Sequence, residues 1–149
     1  MKQKTFSLKN NNLYYKFLGV LTKKGKKTIA KKILDTLLLK LSKRLHLPNT
    51  LILYFIFLKL NTFVEIKKIS FRRSSHLVPF YITFSRRIYL ALKWIVLAVK
   101  KDSRKISTVD KFSNEIFKIL KNLPSESLKA KNLNDSQAFL NKANIHYRW

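Results

Sequence analysis

The chain has 149 residues, with 32 Lys and Arg against seven Asp and Glu, giving a formal charge of +25 beside a hydrophobic fraction of 46%. That apolar content excludes a disordered basic tail, and the length suits one domain of the usual roughly 100–200 residues. With no Cys, widely spaced His46, His76 and His146, scattered acids and only two Gly, the sequence offers no disulfide, metal, paired-carboxylate or phosphate-loop signature.

Residues 1–12 read as a basic tail, with Lys2, Lys4 and Lys9 ahead of Asn10-Asn11-Asn12, that orders on a partner. Met1 to Thr5 shows no secretory h-region and no Arg-rich presequence, so the protein is expected to stay where it is made or to carry its address elsewhere. Helical spacing begins at Leu13 and continues through Phe17, Val20 and Leu21. Gly25, inside Lys23-Lys24-Gly25-Lys26-Lys27, is expected as the residue just past that helix, in the left-handed region. A second helix presents Ile29, Ile33, Leu37 and Leu41 as one stripe, widened by Ala30, Leu34 and Leu38. Pro48 breaks it, and Asn49 or Thr50 is the expected cap of a third helix running to Leu60. Its apolar run, Leu51 to Leu58, stops at Lys59, well short of the about 20 residues a membrane span needs.

Two β-rich segments follow, Phe63 to Phe71 and Leu77 to Phe84, the second with Val78, Phe80, Ile82 and Phe84 on one side. Arg72-Arg73-Ser74-Ser75-His76 is read as the basic turn of a β-ribbon. Such a ribbon is marginal alone and needs a docking surface or a ligand. A fourth helix is expected from a Ser85 cap to Lys101, with Ile88, Leu92, Ile95 and Val99 inward. A fifth runs from near Ser107 to near Asn122, with Val109, Phe112, Ile116, Ile119 and Leu120 apolar, and Pro124 closes it. A last amphipathic helix is expected from Asp135 to about Ile145. The fold class is mainly α: one domain over 13–149, of about six helices, with a protruding two-stranded ribbon at about 63–84.

The candidate binding residues are basic clusters: the tail, Lys23-Lys24 with Lys26-Lys27, Lys67-Lys68 with Arg72-Arg73, Arg86-Arg87, and Lys100-Lys101 with Arg104-Lys105. Solubility needs a charge of only roughly 2–8 on a small domain, so a surplus of this size points to a polyanion, with nucleic acid first. Tyr81 and Tyr89 are candidates for stacking on bases, although most aromatics here are expected in the core. No catalytic site, cofactor or small-molecule substrate is expected.

Ordered short motifs resemble small-subunit ribosomal protein seven. They are Lys16-Phe17, Gly25 to Ala30, Val64-Glu65-Ile66-Lys67, Val78-Pro79, Arg86-Arg87, Ala91, Trp94-Ile95-Val96, Asn114-Glu115, Asn141-Lys142-Ala143, and the ending His146-Tyr147-Arg148-Trp149. The match is weakest between Lys43 and Asn61 and between Leu123 and Ala138. The resemblance implies a helical domain with a protruding ribbon that binds the 3′ major domain of small-subunit rRNA and organises head assembly. It places the protein near exit-site tRNA and the messenger path, beside head and platform proteins. RNA contact is implied for the tail, the Lys23–Lys27 turn, the arm and Arg86-Arg87, and Tyr147, Arg148 and Trp149 are implied to lie near messenger or platform. The family's paired glycines at the arm tip are replaced here around Phe71-Arg72-Arg73. Abundant Lys, Asn, Ile and Phe, residues with A/T-rich codons, add to that drift and suggest an organelle-encoded member, mitochondrial ahead of plastid or bacterial. The alternative is an architectural DNA-binding protein, supported by charge and ribbon but without a helix bearing clear base-reading side chains. A membrane-surface protein and a nuclease are further rivals, the latter opposed by the missing acid or histidine cluster.

Overall fold

The computed structural model describes residues 13–71 and 74–147. The expectations placed on Lys2, Lys4, Lys9, Arg72, Arg73, Arg148 and Trp149 therefore lie outside the described residues. Helix α1 covers 13–21, α2 Lys27–Leu45 and α3 Asn49–Leu60. An antiparallel pair, β1 Val64–Phe71 and β2 Ser74–Tyr81, comes next. Helices α4 Phe84–Lys101, α5 Thr108–Leu120 and α6 Glu126–Leu140 follow, and a 3₁₀ segment closes the described chain at Lys142–Tyr147. The fold is thus mostly helical, with a hairpin between the third and fourth helices, as the resemblance implies.

One core joins α1 to α5. Phe17, Leu34, Leu37, Leu41, Ile52, Leu60, Ile95, Ile116 and Ile119 are fully enclosed in it. Helix α5 is its hub, packed on α2, α3, α4 and α6. Phe112 of α5 meets Phe17 of α1 edge to face, with ring centres 6.4 Å apart. The inward residues expected on α4 (Ile88, Leu92, Ile95, Val99) are all buried. Helix α3 is less enclosed than its sequence implies, since Phe55 and Leu58 face solvent.

Several local expectations shift. Helix α1 ends four residues before Gly25, so Gly25 is not its capping residue. Gly25 (φ 74°) and Lys24 (φ 50°) instead form a left-handed corner that reverses the chain into α2. Lys26 N–H donates to the Lys23 carbonyl across that corner. The stripe on α2 rotates toward Ala30, Leu34, Leu37, Leu38 and Leu41, leaving Ile29 52% exposed. Neither Asn49 nor Thr50 caps α3: Pro48 holds the cap position, with no side-chain bond. Likewise Thr83, not Ser85, precedes α4, and Ser85 Oγ instead accepts from Lys16 Nζ at 2.7 Å, tying α1 to α4.

Strand pairing runs from Val64 opposite Tyr81 to Phe71 opposite Ser74. Ser74 to His76 are therefore in the strand rather than in a turn, and Phe84 opens α4 instead of ending β2. The hairpin is docked, which answers its marginal stability alone. Asn144 Nδ2 donates to the Leu77 carbonyl at 3.1 Å, and the Tyr147 ring stacks on His76 at 4.4 Å. At the arm base, Asn134 Nδ2 donates to the Val64 carbonyl at 2.8 Å, and Thr62 Oγ1 donates to Asp135 at 2.7 Å.

The last helix begins nine residues earlier than expected, at Glu126, and ends at Leu140. Ser125 caps it, accepting from Leu128 N–H at 3.2 Å, and Ser127 donates from backbone and hydroxyl to Glu115 of α5. Among the described residues, no helix is long and apolar enough to cross a membrane.

The rotation of the α2 stripe has a measurable consequence. Leu41→Ala should cost about 2–5 kcal/mol in urea unfolding, because it empties an enclosed site. Ile29→Ala should stay within about 0.5 kcal/mol of the unaltered chain. Comparable losses for the two would contradict the packing described.

Candidate nucleic-acid interface

All seven carboxylates of the chain are used internally. Asp35 accepts from the Tyr14 hydroxyl at 2.7 Å, and burial together with that bond pushes the Tyr14 pKa up to about 12. Glu65 takes a fork from Arg86, Nε to Oε2 at 2.9 Å and Nη2 to Oε1 at 2.5 Å. Asp102 is clasped the same way by Arg104, which holds its carboxyl far below the usual carboxylate range. Asp110 accepts from Lys40 and from Ser107 Oγ, Glu115 from Ser127, Glu126 from Lys129, and Asp135 from Thr62. Only four ion pairs form among the described residues, with Lys40, Arg86, Arg104 and Lys129. The remaining described cations meet no acid in an ion pair, so the surface potential is strongly positive.

The structure gathers the expected cations at the two ends of α4, about 27 Å apart at 1.5 Å per residue. At its C-terminal end, exposed Lys23 and Lys26 of the left-handed corner stand across a groove from exposed Lys100. Lys111 of α5 joins them, its Nζ donating to the Asp102 carbonyl at 2.7 Å. Lys24 and Lys27 are exposed on the same corner, and Lys101 and Arg104 lie around the α4 end. Sequence reasoning missed Lys111, a lone lysine inside a helix whose only signal is its position one turn after Thr108.

At the N-terminal end, Lys67 and Lys68 are exposed on the arm, with Lys67 Nζ 5.2 Å from the Phe80 ring centre. Arg86 and Arg87 differ. Arg86 is clasped by Glu65 and leans on Tyr89 at 5.0 Å, whereas Arg87 is half-buried over Phe63 at 4.6 Å and Phe84 at 5.5 Å. Among the described residues Arg87 Nε is buried with no hydrogen-bond partner, and the guanidinium's contacts at the arm base are with these two rings. Tyr81 is 72% exposed on the arm, and Tyr89 is partly covered by Arg86 and Lys93. Tyr147 is committed to the stack on His76. No cluster of His or acids able to hold a metal occurs among the described residues.

The structure is a helical body with a docked ribbon, its acids drawn into internal bonds and most described cations turned outward, a charge distribution complementary to a polyanion. The family described as Ribosomal protein S7p/S5e matches residues 2–142, and the chain belongs to that family. Its relatives include small ribosomal subunit protein uS7 of Wigglesworthia glossinidia brevipalpis, 33% identical over 94% of this chain and 88% of that protein. The uS7m protein of Reclinomonas americana is 29% identical over 94% of this chain and 87% of that protein. The uS7 protein of Mycoplasma genitalium is 31% identical over 94% and 89%. Membership makes the chain a structural, non-enzymatic ribosomal protein of the small subunit.

The internal carboxylates predict an acid limit. Arg86 holds the Glu65 carboxyl below its usual pKa, and Arg104, Lys40 and Lys129 do the same for Asp102, Asp110 and Glu126. A depressed folded pKa gives stability that is complete above the unfolded value, about 4, and lost as pH falls through the folded one. The melting temperature should therefore be flat from pH 7 to 5 and drop below about pH 4. Glu65→Gln should melt lower at neutral pH and lose less on acidification, and a melting curve that improves in acid would contradict this.

Proposed function

We propose that the protein binds the 3′ major domain of small-subunit rRNA, neutralising phosphates where rRNA helices converge, and so organises assembly of the subunit head. The observation that carries this reading is the disposition of charge. Four of the seven Asp and Glu side chains are ion-paired and the other three accept hydrogen bonds from neutral groups within the fold, while cations occupy both ends of α4 and the arm. Lys23, Lys24, Lys26, Lys27, Lys100 and Lys101 form the grip at one end and Lys67 and Lys68 at the other, with Arg104 and Arg86 beside them forked to Asp102 and Glu65. On the resemblance, Lys2, Lys4, Lys9, Arg72, Arg73 and Arg148, which lie outside the described residues, are proposed as further RNA contacts. The arm and the C-terminal residues reach toward exit-site tRNA, the messenger path and neighbouring head and platform proteins. Relatives named as small ribosomal subunit proteins support the setting.

For location, we propose the mitochondrial ribosome, on the A/T-biased composition and the likeness to the Reclinomonas americana uS7m protein. Bacterial relatives are equally similar, so the small ribosomal subunit is the part of this statement that the whole set of relatives shares.

Filter binding of the full chain to a 3′ major domain transcript tests the reading. With six or more phosphates engaged, affinity should fall about a thousandfold or more between 50 and 200 mM salt. Lys23→Gln with Lys100→Gln should weaken binding and reduce the salt slope by about two. Equal affinity for duplex DNA of the same length, or a flat salt response, would contradict it.

A further inference from the structure

The groove at the C-terminal end of α4 has a floor that the cationic grip alone does not require. Its cavity is about 420 Å³, within the range of small-ligand clefts. Leu21 of α1, Ile29 and Ile33 of α2, and Val96 and Val99 of α4 line it, above the Phe112 ring. Lys23, Lys26, Lys100 and Lys111 stand around this apolar surface. Asp102 also lines it, with its carboxylate neutralised by the Arg104 fork. Ile29 lies outside the buried stripe of α2 and, at 52% exposed, presents its side chain at this floor. An apolar floor ringed by cations offers both a surface for a flat apolar group and counter-charges for anions beside it.

We propose that this groove receives one splayed-out base of the rRNA, its flat face laid on Ile29 and Ile33, with the flanking phosphates held by Lys23, Lys26 and Lys100. The proposal rests on the rRNA-binding reading and adds a nucleotide-sized subsite to it. Charge complementarity selects the occupant. The cations around the mouth call for fixed anions on either side of something apolar, and an unstacked nucleotide supplies both. The chain's own tail is a poor occupant, because Lys2, Lys4 and Lys9 would be repelled by the same rim. The phosphates give affinity that salt weakens, whereas the base gives affinity that salt leaves alone.

That difference is the test. Ile29→Asn and Lys26→Gln are compared with the unaltered chain on the 3′ major domain transcript, by affinity across a salt series and by dimethyl sulfate probing of the RNA. Ile29→Asn should bind roughly fivefold or more weakly with an unchanged salt slope, and one protein-dependent base should regain its free reactivity. Lys26→Gln should lower the slope by about one. If Ile29→Asn binds and footprints as the unaltered chain while Lys26→Gln weakens, the base subsite is refuted and the rRNA-binding reading stands. If the unaltered chain itself shows no salt-dependent binding, the rRNA-binding reading has failed. Should Ile29→Asn keep the footprint but lose a neighbouring protein from reconstituted subunits, the groove holds a peptide and the base subsite is overturned.

Discussion

Like-charge repulsion is the constraint to which this structure answers. A charge of +25 on one small domain opposes compaction, and seven acids cannot balance 32 cations pair by pair. The fold spends those acids at joints instead. Lys40–Asp110 ties α2 to α5, Arg86–Glu65 ties α4 to the arm, and Glu115 receives the start of α6. Exposed pairs of this kind add little stability individually, so the core of α1 to α5 supplies the cohesion and the acids supply registration. The surplus cations are thereby left on the outside, where a polyanion can meet them.

Helix α4 converts that surplus into a binding surface with shape. It is rigid because its inward side, including Ile88, Ala91, Leu92, Ile95 and Val99, is locked in the core. One end carries the arm, steadied by α6 and the 3₁₀ segment through Asn134, Asn144 and the His76–Tyr147 stack. The other end faces the Lys23–Lys27 corner and α5. Phosphate-binding groups on rigid elements at a fixed separation can select a folded RNA by its geometry, which a flexible basic peptide cannot do.

Much of the fold was legible because burial leaves a periodic trace. The inward residues of α4, the α5 stripe from Phe112 to Ile119 and the breaks at Pro48 and Pro124 could be read directly. Helix α6 was misplaced because it has little apolar stripe to read: Ser127 is its fully buried residue, and hydrogen bonds from Ser127, Asn134 and Lys131 hold it down. Ser85 satisfies the composition of a cap, but its hydroxyl is taken by Lys16, a contact 69 residues away that no local pattern encodes. The basic clusters were visible as strings. Their grouping was not, since the groove unites residues of α1, α2, α4 and α5. The different fates of neighbours Arg86 and Arg87, one forked to Glu65 and one laid over Phe63, depend on tertiary packing alone.

The most direct test of the central claim is thermal melting of the full chain at low ionic strength, with and without the 3′ major domain transcript. If an outward cationic surplus limits the free protein, inert salt should raise the melting temperature by screening, and the transcript should raise it further at low salt by binding the folded state. A melting temperature indifferent to both salt and transcript would contradict the claim.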